Sequence, residues 1–232
     1  MKKIGLIVFA VALLIGVVFS SFFSWGKASG EVFNFSLKIG KENGSGRMAT
    51  ESRTVGEFSQ LDVSSVFQVE VIAQSELSVE IEADDNLLQF IRTEVRDGRL
   101  EISLAKSVKT SNPMRVRISA PNIDRVEASG ASRVNVSNLK NSEITLDTSG
   151  ASKINLSGET SKLVVDVSGA SQIDAGSLST NAANIDASGA SYVNVNVANE
   201  LNADASGASR ITYTGSPSVQ KSTSGASSVS QK

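Results

Sequence analysis

Five acidic residues in the second half of the chain recur at a spacing that could place carboxylates side by side. They stand 18 to 20 residues apart, each two positions before a Ser-Gly-Ala-Ser tetrapeptide: Glu127, Asp147, Asp166, Asp186 and Asp204. If the tetrapeptides mark stacked strands, neighbouring carboxylates lie about 5 Å apart and repel one another unless water, salt or a cation screens them. We call this set the acidic column.

Two interpretations of the acidic column need no catalysis. Calcium is bound by carboxylate and carbonyl oxygens and could bridge two rungs of a stack. Four residues are therefore candidate calcium ligands: Asp147, Asp166, Asp186 and Asp204. Alternatively, the column is a solvated surface whose charge is offset by nearby cations, namely Arg133, Lys153 and Arg210. No other cofactor is expected.

The column could also supply an acid and a base for polysaccharide cleavage, because paired carboxylates across a groove can hydrolyse glycosidic bonds. A cleft that holds sugar usually needs aromatic and basic side chains as well. All nine Phe precede residue 91 and the one Trp is Trp25, so the repeat region has only Tyr192 and Tyr213. We therefore predict that the protein is not an enzyme, with a carbohydrate-active hydrolase or lyase as the alternative.

The composition removes several other kinds of chemistry. The chain contains no Cys and no His, which excludes disulfides and thiolate sites and removes the commonest transition-metal ligand and general base. Ser103 and Lys106 match a Ser-x-x-Lys pattern, but they end a strand pattern and no Lys-Thr-Gly follows, so the match is attributed to chance. A net charge of −2 without a basic stripe argues against nucleic acid as a partner.

The Ser-Gly-Ala-Ser tetrapeptide is the strongest pattern in the chain. Its six copies begin at Ser129, Ser149, Ser168, Ser188, Ser206 and Ser224. Three residues before each copy and two residues after it, the side chains are apolar until the last copy, and polar or variable positions alternate with them. This alternation is typical of β-strands with one buried face. The unit length predicts an all-β fold, a parallel β-solenoid with 18–20-residue rungs, and strand twist favours a right-handed coil.

Two structural roles are open for the tetrapeptide itself. It is either a corner, where Gly provides a positive φ and the Ser hydroxyls satisfy one another and the backbone, or a continuous strand whose Gly and second Ser point inward. In both cases its glycines are structural: Gly130, Gly150, Gly169, Gly189, Gly207 and Gly225. Lys221 occupies a column that is otherwise apolar, which predicts that burial ends in a polar terminal rung.

The N-terminus predicts export. Lys2 and Lys3 precede an apolar run over residues 4–23, so we assign residues 1–28 to a signal peptide cleaved after Ala28. An uncleaved membrane anchor is the alternative, because about 20 apolar residues can span a bilayer. Residues 29–51 are polar and Gly-rich and are predicted to be a linker.

Residues 52–232 are predicted to form one solenoid domain. Within it, residues 52–125 show period-two alternation without a regular repeat and are expected to form irregular N-terminal rungs. Asp97 and Gly98 separate two such runs and predict a hairpin turn, while Asp84 and Asp85 could cap a short helix. Residues 126–232 are the regular Ser-Gly-Ala-Ser rungs.

An ordered set of segments resembles a known family, DUF2807, also called the auto-transporter adhesin head GIN domain. The segments are Phe58–Val63, Val69–Val71, Glu80–Leu88, Asp97–Ile102 and Ala128–Ser132. The resemblance covers about residues 52 to 232 and implies a β-helix in an exported bacterial protein of the cell envelope or surface. It implies no catalytic residues.

These observations together predict an exported, adhesin-like module that binds or scaffolds without catalysis. Its expected partner is an unidentified surface glycan or protein, and contact with a membrane is expected only through the N-terminal segment. The small-residue face around Ser168 and Ala170 could also pack against another copy. Export leaves three compartments open, which are the periplasm, the outer membrane surface and the cell exterior.

Overall fold

The computed structural model describes residues 41–232. The predicted signal peptide and residues 29–40 of the predicted linker lie outside the described residues and stay predictions. Within residues 41–232, the structure contains no helix with the length and apolar character needed to cross a bilayer.

The described part of the chain consists of strands and one short 3-10 turn, Leu88–Phe90. The strands of the first half are β1 (Glu42–Asn43), β2 (Met48–Ser52), β3 (Gln60–Val63), β4 (Gln68–Ala73), β5 (Ser78–Asp84), β6 (Ile91–Arg96), β7 (Arg99–Leu104), β8 (Val108–Lys109), β9 (Arg115–Ala120) and β10 (Arg125–Ala128). The strands of the second half are β11 (Arg133–Thr148), β12 (Lys153–Val167), β13 (Gln172–Ala187), β14 (Tyr192–Ala205), β15 (Arg210–Thr214), β16 (Ser218–Thr223) and β17 (Ser228–Gln231).

The N-terminal and C-terminal parts of the long strands β11 to β14 lie in two different rows of paired strands, so every rung contributes to two sheet faces. The first face runs through β2, β5, β9, β4, the N-terminal parts of β11 to β14, β15 and β17. The second face runs through β6, β7, β3, β10, the C-terminal parts of β11 to β14, and β16. We call the segment of each long strand between these two parts the far bend; Ser-Gly-Ala-Ser closes the other edge of the rung.

Pairing between rungs is parallel throughout the second half of the chain. The solenoid has about five turns with rungs of about 20 residues. The predicted all-β parallel β-solenoid is therefore confirmed, while the right-handed coil stays a prediction.

The core lies between the two faces and consists of stacked aliphatic columns. The column two residues after the tetrapeptide is fully buried in five rungs, at Val134, Ile154, Ile173, Val193 and Ile211. Each such side chain contributes about 1.5–3 kcal/mol of transfer free energy, because it leaves water completely. The opposite column ends at Lys221, which pairs with Ala203 and is exposed as predicted, while Val229 in the same terminal rung is still buried.

The first half of the chain contains the predicted hairpin. β6 and β7 pair antiparallel with Arg96 opposite Arg99. Asp97 and Gly98 between them have φ values of 51° and 74°, the left-handed pair that a two-residue hairpin turn requires. The predicted short helix is the 3-10 turn Leu88–Phe90, which no side chain caps.

The folded part includes residues that the sequence assigns to the linker. β2, at Met48–Ser52, pairs antiparallel with β5, and β1 pairs with β8. β2 covers the outer edge of the first face and is almost wholly exposed. It therefore lacks the apolar alternation by which a half-buried strand is recognised.

Candidate functional site

The Ser-Gly-Ala-Ser tetrapeptide forms the corner that joins the second face of one rung to the first face of the next. Its glycines all have φ between 71° and 77°: Gly130, Gly150, Gly169, Gly189, Gly207 and Gly225. The corner interpretation is therefore correct, and the continuous strand is wrong, because a strand cannot pass through a left-handed residue without breaking its alternation.

Stacking of the corners adds a second requirement for glycine. A Cβ on Gly169 would lie 2.5 Å from the carbonyl oxygen of Gly150, and the same contact recurs from rung to rung. That oxygen accepts a hydrogen bond of 2.8 Å from the backbone N–H of Ala170. The corner column is thus a backbone stack with no room for a side chain at the glycine position.

The second serine of the first five copies is buried, and that of the last copy, Ser227, is half-buried. Ser132 Oγ lies 3.3 Å from Ser152 Oγ, and Ser209 Oγ donates to the carbonyl oxygen of Ser206 at 2.8 Å. The hydroxyls thus satisfy one another and the corner backbone, with Ser171 and Ser191 the two unpartnered members. These hydroxyls therefore contribute to the stability of the corner.

One further corner is not visible as a tetrapeptide in the sequence. Residues 64–67 stack beneath the first copy: Ala131 N–H donates to Ser65 O at 2.7 Å and Arg133 N–H donates to Phe67 O at 2.8 Å. Ser65 stands where later rungs have glycine, with φ of 84°. Stacked corners therefore begin about 65 residues into the chain, one rung earlier than the repeat indicates.

The acidic column is continuous on the second face and longer than the sequence indicates. Asp147 pairs with Asp166, Asp166 with Asp186, and Asp186 with Asp204. Below Glu127, the register adds Asp62 and then Glu101. Both residues lie in the irregular rungs, where their polar position in the alternating pattern was the only sequence signal that they belong to the acidic column.

Arginines of the first half of the chain offset the charge at the near end of the column. Arg125 contacts Glu127 at 2.5 Å and Asp147 at 3.7 Å, and Arg99 contacts Glu127 at 3.3 Å. Asp166 and Asp186 have no ion pair with any residue of 41–232.

The three cations predicted to offset the column do not contact it. Arg133, Lys153 and Arg210 follow the corner and belong to the first face, whereas the column precedes the corner on the second face. Among residues 41–232, no ion pair joins them to the column. The prediction of these cations as partners was wrong, because the corner places the residues before the tetrapeptide and the residues after it on different faces.

Crowding of like charges affects the protonation of the column. Burial and the neighbouring charges of Asp147 and Asp186 raise the pKa of Asp166. Burial and the nearby Glu127 also raise the pKa of Asp62.

The calcium prediction gains no support from the geometry of the column. Asp147, Asp166, Asp186 and Asp204 occupy successive rungs of one ladder. Within the described residues, no three His, Cys, Asp or Glu side chains converge in a group able to hold a metal ion.

A groove of about 470 Å³ lies at the far bend of rungs β11 to β14. Its lining is polar except for one residue: Lys140, Asn141, Glu159, Thr160, Ser161, Ser179, Thr180, Asn181, Asn196 and Ala198. No sequence motif marks these residues. The only available signal was the change in rung length from 20 residues between Ser168 and Ser188 to 18 between Ser188 and Ser206.

Fold and surfaces together define a class of protein, a β-solenoid with two polar sheet faces and no catalytic constellation among the described residues. The family described as "Putative auto-transporter adhesin, head GIN domain" (DUF2807) matches residues 57–217. The chain belongs to this family, as the resemblance indicated. The family has no known catalytic activity, and an adhesin family implies an exported or surface protein.

Solved structures of similar fold come from Bacteroides and Parabacteroides species. A "putative adhesin" from Bacteroides fragilis is 22% identical with a TM-score of 0.67, over 82% of this chain and 98% of that one. Two more, from Parabacteroides distasonis and Parabacteroides merdae, are 17% and 18% identical with TM-scores of 0.51 and 0.50. They cover 83% and 82% of this chain and 100% and 98% of their own. At such identities the likeness shows the fold alone. No curated protein matches the chain.

Proposed function

We propose that this protein is an exported module of the cell envelope or surface that binds a glycan or a protein partner without catalysis. The observation that supports the proposal is the pair of polar sheet faces that a rigid stack of rungs presents in a chain of an adhesin family. A parallel stack holds its surface side chains at a fixed repeat, so a repetitive partner could contact several rungs at once.

The enzymatic alternative has no supporting observation in the acidic column. Its members lie on an open sheet face, and the groove at the far bend contains none of them. Glycoside hydrolysis needs two carboxylates on opposite sides of a substrate bond, whereas Asp166 and Asp186 are adjacent in one ladder and point to the same side.

Binding to arrayed glycans and to cell-envelope fractions, with a turnover assay on the same ligands, tests the proposal. The exported protein should retain one or more ligands and release no product. Asp166→Ala and Asp186→Ala should likewise release no product, whatever their effect on retention. Cleavage that both substitutions abolish would establish the enzyme instead, and absence of any retained ligand or envelope protein would refute the binding function.

Fractionation of cells and the mass of the mature N-terminus test the export part of the proposal. We expect the protein in the periplasm, on the outer membrane or outside the cell, with a mature chain that begins at Ser29. A cytoplasmic pool with an intact Met1 would contradict export. An envelope-bound protein of full-length mass would favour the membrane anchor.

A further inference from the structure

We infer that the groove at the far bend is a ligand site of this module and that its ligand is a neutral saccharide unit. The inference rests on the proposed binding function and gives it a location. It places recognition away from the corner and away from the acidic column.

A change in rung length builds the groove. Between β13 and β14 the register shifts twice at the far bend, first between Ala175 and Ser179 and again between Thr180 and Ala182. At the first shift β13 carries residues 176–178 without partners in β14, and at the second shift β14 carries one residue more than β13. Half-buried Asn196 and exposed Ala198 line the groove together with the Ser179–Asn181 segment.

The groove wall is held in place by a ladder of polar side chains. Asn141, Thr160 and Thr180 occupy the same position of successive rungs. Thr160 Oγ1 donates to Asn141 Oδ1 at 2.7 Å, and Asn141 Nδ2 donates to the carbonyl oxygen of Ile123 at 2.7 Å. Thr160 and Thr180 are buried, so this wall is rigid before any ligand arrives, which lowers the entropic cost of binding.

Hydrogen-bonding groups on the rim are free. Within residues 41–232, the side chains of Ser161, Ser179, Asn181 and Asn196 make no hydrogen bond to other protein groups. Amides and hydroxyls both donate and accept, which matches the vicinal hydroxyls of a sugar. Lys140 and Glu159 neutralise each other across a 3.2 Å contact, so the groove favours no net charge.

The same features argue against other ligand classes. A peptide that adds as a strand needs unpaired backbone, but β11, β12 and β13 pair with neighbours on both sides through most of their length. A helical or hydrophobic peptide needs apolar anchors, and Ala198 is the one apolar residue of the lining. Nucleic acid needs unpaired cations, and the groove's one cation, Lys140, is paired.

The groove lacks an aromatic platform, so a single site should bind weakly. We expect a dissociation constant of about 1 mM or weaker for a disaccharide, since a few solvent-exposed hydrogen bonds supply most of the affinity. Useful adhesion would then come from many copies engaging a repetitive glycan.

Backbone amide shifts of the ¹⁵N-labelled exported protein, titrated with diacetylchitobiose or with maltose, test the site directly. With one of the two disaccharides at least, we expect saturable shifts that cluster at Thr160, Thr180 and Asn196. Asn181→Ala should weaken that binding by about fivefold, the loss of one hydrogen bond. Asn184→Ala is the matched control, because Asn184 is an exposed asparagine of the same strand outside the groove; it should bind like the wild type.

A second variant fills the groove without removing a hydrogen-bonding group. Ala198→Leu changes an exposed residue of the lining, so the thermal transition should be preserved while saccharide binding is lost. Absence of saturable groove shifts with both disaccharides overturns the inference, as does unchanged binding by both groove variants. If both variants still retain the ligand that the wild type binds on the array, the groove is not the binding site, and the proposed binding function stands. Absence of any arrayed ligand defeats the binding function itself.

Discussion

Substitution of a corner glycine in the middle of the stack should destabilise the protein far more than its backbone angle alone explains. Gly169 has φ of 73°, and a side chain in that region costs about 1–2 kcal/mol. The new Cβ would also lie 2.5 Å from Gly150 O, a distance that forces the two rungs apart. The displaced oxygen accepts the hydrogen bond from Ala170 N–H, whose loss costs about 1 kcal/mol more.

We therefore expect Gly169→Ala to lower the free energy of unfolding by about 3–4 kcal/mol, once overpacking strain of about 1–3 kcal/mol is included and the entropic benefit of replacing glycine is subtracted. For a domain of this size the melting temperature should fall by about 10 °C, at about 2–4 °C per kcal/mol. Thermal unfolding followed by far-UV circular dichroism measures the change.

Gly98→Ala is the matched control, because it isolates the cost of the backbone angle. Gly98 has φ of 74°, and a Cβ there would meet nothing within 4 Å. Its substitution should cost about 1 kcal/mol, or about 3 °C. Equal losses for the two variants would refute the argument that stacking, and not the left-handed angle alone, requires glycine at the corner.

Three further predictions concern charge and metal. Asp166→Asn should raise stability at pH 7 by about 0.5 kcal/mol. The raised pKa of Asp166 means that its ionised form is unfavourable in the folded protein. The stability gained by Asn should therefore be full above that pKa and should disappear as acid protonates the wild-type carboxyl. Thermal melts from about pH 3 to 8 measure this difference. Asp84→Ala should cost about 2–3 kcal/mol in urea unfolding, because buried Asp84 accepts from Thr110 Oγ1 and Asn112 Nδ2, each at 2.6 Å; a neutral effect would contradict that role. EDTA and calcium should give melting temperatures within about 1 °C of each other, and a clear rise with calcium would restore the metal site at the acidic column.

The sequence predicts the repeated half of the fold well because stacking places like residues on like. The apolar columns at Val134 and Ile154 and the acidic column at Asp147 and Asp166 pair in the expected register. Each regular rung repeats the same local pattern, so one correct alignment of the tetrapeptides predicts all the neighbours along the axis.

Prediction from sequence was weaker where pairing depends on residues distant along the chain. The corner at Ser65 shares one residue type with the tetrapeptide and is recognised only through its hydrogen bonds to Ala131. Beneath residues 64–67, the connection from β7 to β9 is longer than a tetrapeptide corner, so the regular glycine stack does not continue below Ser65. The ion pairs of Arg99 and Arg125 were missed for the same reason, since the register across rungs is not visible in a single irregular segment.

The sequence did not predict the groove at the far bend, because the repeated tetrapeptide marks only the corner. The corner is the opposite edge of the solenoid, where the sequence cannot vary. At the corner, every glycine packs against the carbonyl oxygen of the rung beneath it, so an added residue or side chain would break the stack. Register is unbroken from the far bend through the second face to the corner, and each change in rung length is absorbed at the far bend. A solenoid can therefore acquire a ligand site at the far bend at little cost in stability, because insertions and deletions there leave both sheet faces in register. The tetrapeptide that makes this chain recognisable thus holds the scaffold constant, and recognition is expected at the opposite edge.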